Sequence, residues 1–445
     1  MASDPDIATI CIHGGYPHEG DGSTSRALPL HRTTSFQFKS VKHARDLFAL
    51  EELGFMYTRL GNPTIDVLEK RLGLMHGGPE LGGLAVASGT VAIFNAILNV
   101  AEAGDNIVAA NNLYGGTMTL FGDLLPKMGI TCTFVDPNTP SNFLGPHVND
   151  RTRCFFCETC SNPALHISDM QAIADLAHGV GLPLIADDTF TTAYLQRPFD
   201  HGADVVCTSL TKWTGGHGTA IGGAIVDGGS FDWAGGRHPL YDEPDSSYHD
   251  LRWGHDLPET LKPIAFILRL RTVVLRNTGA CISPDNACEC CLLPLHAFDP
   301  SLTGLADSAA GHFLQGIETL PLRMEKHCAN SRAVAKFLQD HPCVDWVRYP
   351  GLTHHHDLND QYLGGKGGSM VVFGVKGGKE ASANFIDALA LVSHVANVGA
   401  RCTSGSIRLT HSHSLTRRWL QCSSASWQAM PRHSRLIPRR RRTRR

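Results

Sequence analysis

Several polar side chains stand where short apolar runs end. Tyr114 follows a run ending near Ala110, and Glu158 and Asn162 follow one ending at Cys157. Asp187 and Thr189 follow Ile185-Ala186, and Ser209, Thr211 and Lys212 follow Val205-Val206-Cys207. Ser88-Gly89-Thr90 precedes the apolar stretch VAIFNAILNV and opens a helix there. The free N–H groups and positive dipole end of such a helix favour a phosphate. If the runs are strands of a doubly wound sheet, ligands sit at their carboxyl ends, and these groups converge. Together they supply a phosphate cradle, an aromatic platform, a carboxylate and a lysine, which is the set that pyridoxal 5'-phosphate chemistry requires. Lys212 would form the Schiff base. Asp187 would hold the pyridinium N–H and keep the ring cationic, so that it acts as an electron sink. Tyr114 would stack on the ring. Ser209, Thr211 and the backbone of Gly89 and Thr90 would bind the phosphate.

Each residue has a plainer reading on its own. A lysine after a strand is usually solvated, an aspartate at a strand end is usually a cap or turn former, and Ser-Gly-Thr is an ordinary helix start. A tyrosine before two glycines is usually a packed loop aromatic. The joint order selects the cofactor site.

The framework that must position these groups is a large α/β domain. Asn106 to Ala110, Thr131 to Val135, Cys154 to Cys157, Leu184 to Ala186 and Val205 to Thr208 read as strands. They alternate with helical stretches at Val91 to Val100, Thr117 to Lys127 and Met170 to His178. Near-continuous apolar strands between helices predict a mainly parallel sheet covered on both faces. Farther on, helices are predicted over Ala265 to Arg276, Pro321 to Gln339 and Ala381 to Leu391, with strands at Asp345 to Arg348 and Met370 to Val375. That sparser pattern predicts a smaller α+β domain. The expected division is an extended N-terminal arm over 1–60, the cofactor-binding domain over 61–245, the C-terminal domain over 246–399 and an atypical tail over 400–445.

Cys154, Cys157 and Cys160 have a spacing that can bind metal, but they run through a strand-like stretch and read as incidental thiols of a reducing cytosol. No metal is expected. No stretch approaches a membrane span, and the N-terminus has no apolar segment of the kind a signal peptide carries, so a cytoplasmic protein is expected.

The chain resembles the Cys/Met-metabolism family of pyridoxal-phosphate enzymes, and within it the O-acetylhomoserine sulfhydrylases. The matching stretches are Tyr57-Thr-Arg59-Leu-Gly-Asn62-Pro-Thr64, Ala87-Ser-Gly-Thr90, Leu113-Tyr-Gly-Gly116, Glu158-Thr-Cys-Ser-Asn162-Pro163, Ala186-Asp-Asp-Thr-Phe190 and Thr208-Ser-Leu-Thr-Lys212-Trp-Thr-Gly-Gly-His217. Gly316-Ile-Glu-Thr-Leu320 and Ser393-His-Val-Ala-Asn-Val-Gly399 follow. The resemblance runs from about Ile10 to Gly399. It implies an aspartate-aminotransferase-like fold with a seven-stranded sheet, and a dimer of dimers in which Tyr57 and Arg59 reach the phosphate of a neighbouring subunit's cofactor. It places Asn162 near the cofactor's phenolic oxygen and leaves Glu158 in a supporting role. It implies γ-replacement on O-acetylhomoserine, with sulfide giving homocysteine and Lys212 moving the proton at Cα and Cβ. Related readings within the family are a paralogue using a carbon nucleophile in fungal secondary metabolism, and cystathionine γ-synthase or γ-lyase activity.

The chain departs from the family at three places. Asp188 stands where the family usually has asparagine. Cys288 to Gly311 pushes apart the two halves of one helix, and its codons can carry donor-, branch- and acceptor-like sequences, so it reads as a retained intron. The third place is the end. Of the formal net charge of -3, Ala400 to Arg445 contributes +12, from twelve arginines without a single acid, which leaves -15 on the body. The family's Ser-Leu, His-Pro and carboxylate-binding arginine elements are not recognisable there, and a frameshifted reading is expected. On that reading this chain folds its small domain poorly and binds substrate carboxylate weakly. A catalytically dead subunit and a nucleic-acid-binding protein are the readings from other classes. The intact Lys212 and Asp187 weigh against the first, and the acidic body weighs against the second.

Overall fold

The structure is a computed structural model that describes residues 5–16, 27–287 and 313–399, with the backbone of two further strands at 404–408 and 419–423. The 288–311 insertion and the arginine-rich end from 424 onward lie outside the described residues.

Among the described residues, seven strands build one sheet: Gly83–Val86 (β1), Asn106–Ala110 (β2), Thr131–Val135 (β3), Thr152–Glu158 (β4), Leu184–Asp187 (β5), Val205–Thr208 (β6) and Gly223–Asp227 (β7). Their order is β1-β7-β6-β5-β4-β2-β3. All neighbouring pairs run parallel except those made by β7 with β1 and β6. Every residue of β4, β5, β6 and β7 is buried, as expected of strands covered on both faces. Cys154 and Cys157 have opposite parity in β4 and therefore face opposite sides of the sheet. Burial pushes the Cys157 and Cys160 thiols up to about 12, so they are inert rather than nucleophilic.

The mainly parallel sheet agrees with the sequence reading, but β1 and β7 went unforeseen. Both are short and begin at glycine, so periodicity alone does not mark them. Two predicted helices are also not single α-helices. The stretch 117–127 passes from an α-helix, Gly115–Thr119, through a π turn, Leu120–Leu124, into a 3-10 turn, Leu125–Met128. Pro126 lacks the N–H that an α-helix would use there. The stretch 265–276 becomes a π-helix over Leu270–Leu275, where the Thr272 hydroxyl bonds Leu268 O at 2.7 Å and competes for that carbonyl. The first 60 residues are not wholly extended. Ile7–His13 and Val41–Phe48 are helical, the second capped by Ser40 Oγ accepting from His43 N–H. Ile10 and Cys11 of the first are buried in the main core, so apolar docking sustains a helix too short to stand alone.

A second sheet has the order β10-β11-β12-β9-β8, from Val344–Arg348 (β8), Met370–Val375 (β9), Ser393–His394 (β10), Ser404–Arg408 (β11) and Trp419–Ser423 (β12). β11 and β12 come from the stretch read as tail. β12 pairs with β9, Leu420 opposite Phe373, and closes what would be an open edge. Such ladders are made by backbone N–H and C=O groups, so the pairing needs none of the expected sequence motifs. The helix Leu320–Gln339 buries Val334, Ala335 and Leu338 against this sheet. Among the described residues no helix is long and apolar enough to cross a membrane.

Candidate active site

The carboxyl ends of β4, β5 and β6 and the start of helix Gly89–Leu98 (α1) surround a cavity of about 470 Å³. Nine of the predicted residues line it: Ser88, Gly89 and Thr90, Tyr114, Asn162 and Asp187, and Ser209, Thr211 and Lys212. Tyr57 and Arg59 do not. They stand together elsewhere, with the Arg59 guanidinium 5.0 Å from the Tyr57 ring centroid and the ring 42% exposed.

Ser88 Oγ caps α1 by accepting from Val91 N–H at 3.2 Å. The first N–H groups of any α-helix lack partners within it, and here they belong to Gly89 and Thr90 at the cavity wall. A Cβ on Gly89 would lie 2.5 Å from Ser209 Cβ, so glycine is what lets α1 close onto the loop after β6. Replacing Gly89 by alanine must push those two walls apart. We expect a stability loss of about 1–3 kcal/mol and cofactor affinity weakened by roughly tenfold or more. Thermal denaturation and cofactor titration measure the two, and unchanged affinity would contradict the cradle. Thr211 lines the cavity, but its hydroxyl is engaged by Gly222 O and Gly222 N–H, both at 3.1 Å.

Asp187 ends β5 and is buried, its Oδ1 accepting from Thr189 N–H at 2.9 Å. Burial pushes its pKa up to about 6, Thr189 pulls it down, and the Asp188 carboxylate pushes it up. None of these influences is a cation. Asp188, one residue on, faces away from the cavity: it is fully buried, with Oδ2 2.9 Å from His76 Nε2. Burial pulls the His76 imidazole down, Asp188 pushes it up, and the net direction is up. The departure noted in the sequence is therefore absorbed by a pair outside the cavity.

Glu158 has a role the sequence left open. Its Oε1 accepts from Tyr114 N–H at 2.5 Å and its Oε2 from Asn162 N–H at 3.0 Å, so one carboxylate fixes both loops. Lys212 extends to Asn397, with Nζ 2.6 Å from Oδ1, and burial holds its pKa below the ordinary lysine value. Asn397 was missed as a site residue, although it stands in the quoted Ser393-to-Gly399 motif. Gly399 lets that segment approach: its φ is +81°, and a Cβ there would lie 2.6 Å from Trp213 N. Arg323 fixes the turn after the lysine from the other side, donating to Trp213 O at 2.6 Å and Thr214 O at 3.2 Å.

The family model described as Cys/Met metabolism PLP-dependent enzyme matches residues 8–421. The chain belongs to this family. The match reaches past Gly399 into β11 and β12. An O-acetyl-L-homoserine sulfhydrylase of Leptospira meyeri is 46% identical over 398 residues, covering 88% of this chain and 84% of that protein. A homocysteine synthase of Schizosaccharomyces pombe is 43% identical over 397 residues, covering 88% and 85%. Among solved structures, an O-acetylhomoserine (thiol)-lyase of Campylobacter jejuni, described as putative, superposes with a TM-score of 0.82 at 32% identity, covering 94% of this chain and 95% of that one. That structure carries a pyridoxyl-lysine phosphate.

As a member of this family the protein is an enzyme that uses pyridoxal phosphate. The groups of the cavity suit that cofactor. A buried carboxylate without a cation suits a protonated ring nitrogen, helix N–H groups suit a phosphate, and a partly desolvated lysine suits covalent attachment.

Proposed function

We propose that this enzyme exchanges the acetate of O-acetyl-L-homoserine for a sulfur nucleophile, and that with sulfide the product is homocysteine. The observation that carries the reading is that Lys212 and the buried Asp187 line one cavity; the named relatives supply the substrate class. Bound pyridoxal phosphate supplies an electron sink for negative charge developing on the substrate carbons.

The chain's own groups do the rest. The N–H groups of Gly89 and Thr90 and the Ser209 hydroxyl would hold the phosphate, with Ser88 keeping the helix start in place. Thr211 orders the same loop through Gly222. Asp187 would accept from the ring N–H, Tyr114 would cover the ring face, and Asn162 would meet the phenolic oxygen. Lys212 would hold the cofactor covalently through Nζ. Once the substrate amine had replaced it, Lys212 would take the proton from Cα and then one from Cβ, which lets acetate leave Cγ, and would return a proton to each carbon after the sulfur nucleophile has added; a pKa lowered by burial suits the Lys212 amine for this near neutral pH. Asn397 orients that amine. At Cγ a C–O bond is exchanged for a C–S bond, and acetate leaves.

The reading includes a homo-oligomer, a dimer of dimers in the cytoplasm. There Tyr57 and Arg59, which lie outside this chain's own cavity, face the cofactor phosphate of a neighbouring subunit. It keeps the division into an arm to residue 60, a cofactor domain over 61–245 and a smaller domain after it, now extended to include β11 and β12.

The test is turnover of O-acetylhomoserine by the purified chain with sulfide, cysteine and a carbon nucleophile in parallel. Homocysteine formed with sulfide as the fastest reaction supports the proposal. Product from the carbon nucleophile alone would replace it with the secondary-metabolite reaction, and product from cysteine alone with a cystathionine synthase.

A further inference from the structure

The loops that bring Tyr114 and Asn162 to the first cavity bring Asn112 and His166 to a second, of about 440 Å³, bounded on its other side by β8 and the loop before helix His356–Leu363. Two side-chain atoms there are buried without a hydrogen-bond partner among the described residues, Asn112 Oδ1 and His166 Nε2. Leaving a buried polar atom unsatisfied costs about 1–3 kcal/mol, so such atoms ordinarily meet something. His166 cannot turn to find a protein partner. Its Nδ1 lies 3.0 Å from His355 Nε2, and the two rings meet edge-on with centroids 4.5 Å apart. His354 is fixed too, bonded through Nε2 to Leu165 O at 2.9 Å and through Nδ1 to Thr353 Oγ1 at 3.0 Å.

The polar lining has one sign. The Arg348 guanidinium lines the cavity while its Nη1 donates to Ala164 O at 3.1 Å, and no aspartate or glutamate lines it among the described residues. The acid that acts on His166 is Asp136, whose Oδ1 is held by Asn138 Nδ2 at 2.6 Å. When His355 Nε2–H donates to His166 Nδ1, the His166 hydrogen is on Nε2, the atom left without a partner. An amide such as that of Asn112 presents either oxygen or NH2 after a half-turn, so it can supply a further donor.

We propose that this cavity is a second binding site, for a small oxoanion group such as a carboxylate, sulfate or phosphate, held by the Arg348 guanidinium and the His166 Nε2–H. The site is independent of the reaction assigned to the first cavity. An occupant would touch Asn112, two residues before Tyr114, and Ala164, two residues after Asn162, and so would brace both loops.

The test is calorimetric titration of the holoenzyme with inorganic phosphate, sulfate and succinate, at constant ionic strength against chloride, while cofactor absorbance reports that the first cavity stays filled. We expect saturable binding of at least one anion, and half-saturation raised by about tenfold or more in His166→Leu and in Arg348→Met. Preference for succinate identifies a carboxylate metabolite, and preference for phosphate or sulfate an inorganic or phosphorylated one. No saturation beyond chloride overturns the proposal, because water then satisfies the orphaned atoms; so does binding that both variants leave unchanged. A measurement without any variant covers the case in which neither folds. Anomalous scattering from a selenate-soaked holoenzyme crystal should place selenium in this cavity, and an empty cavity at saturating selenate overturns the site.

Discussion

Replacing Lys212 by alanine should lower turnover of O-acetylhomoserine by about 10³-fold or more. The side chain serves twice. On the proposed reading its Nζ anchors the cofactor covalently and then takes and returns the protons at Cα and at Cβ, and a methyl group can do neither. Its neighbours make the loss specific. Asn397 Oδ1, 2.6 Å away, fixes the amine without bearing a charge, so the amine keeps the lowered pKa that burial gives it. Among the described residues no other lysine lines the cavity. The variant should still bind the cofactor, because the α1 N-terminus, Ser209 and Asp187 remain. It should lose the visible absorbance of covalently held cofactor while retaining it non-covalently after gel filtration. Near-normal turnover by Lys212→Ala would sink the assignment. Loss of all cofactor would show instead that the phosphate cradle is too weak to hold it alone.

Replacing Asp187 by asparagine should lower kcat by roughly 10²–10³-fold with little change in fold. The amide keeps an oxygen for Thr189 N–H and keeps the volume, but removes the charge. In the site without its cofactor that charge is poorly supported: burial pushes the carboxyl up to about 6, and the adjacent Asp188 adds to the push. A cationic ring would supply the missing partner, and carboxylate and ring would each stabilise the other's charged form. Without the carboxylate the ring nitrogen gives up its proton more readily, and the electron sink weakens. The comparison is Asp188→Asn. It removes a neighbouring carboxylate that meets His76 outside the cavity, and should leave turnover near that of the unaltered chain. Steady-state kinetics of the two variants side by side decide it. Equal losses in both would mean that the pair acts as one buried charge cluster, and that Asp187 has no separate role at the ring.

Much of this site can be read locally. Asp187 and Lys212 end or follow apolar runs, and Ser88-Gly89-Thr90 opens a helix; each is a pattern of a few residues that turn chemistry and side-chain period make visible. Strands β2, β3, β6 and β9 have the bounds the sequence suggested. What the sequence missed has a common cause. β1 and β7 are too short and too glycine-flanked to show a period. β11 and β12 pair through backbone atoms, which carry no side-chain signature.

Sequence by itself determined the chemical inventory: a lysine, an aspartate, a tyrosine and a helix start at the ends of buried strands, and the family those motifs mark. Tertiary structure decided how they act together. Glu158 meets Tyr114 across 44 residues, Asn397 meets Lys212 across 185, and His76 takes up Asp188 across 112. The physical reason is that local propensity fixes where a strand ends, whereas strand order fixes which ends are neighbours. Glu158 and Asp187 stand side by side because β4 pairs with β5 in that register, and spacing along the chain contains no term for that pairing.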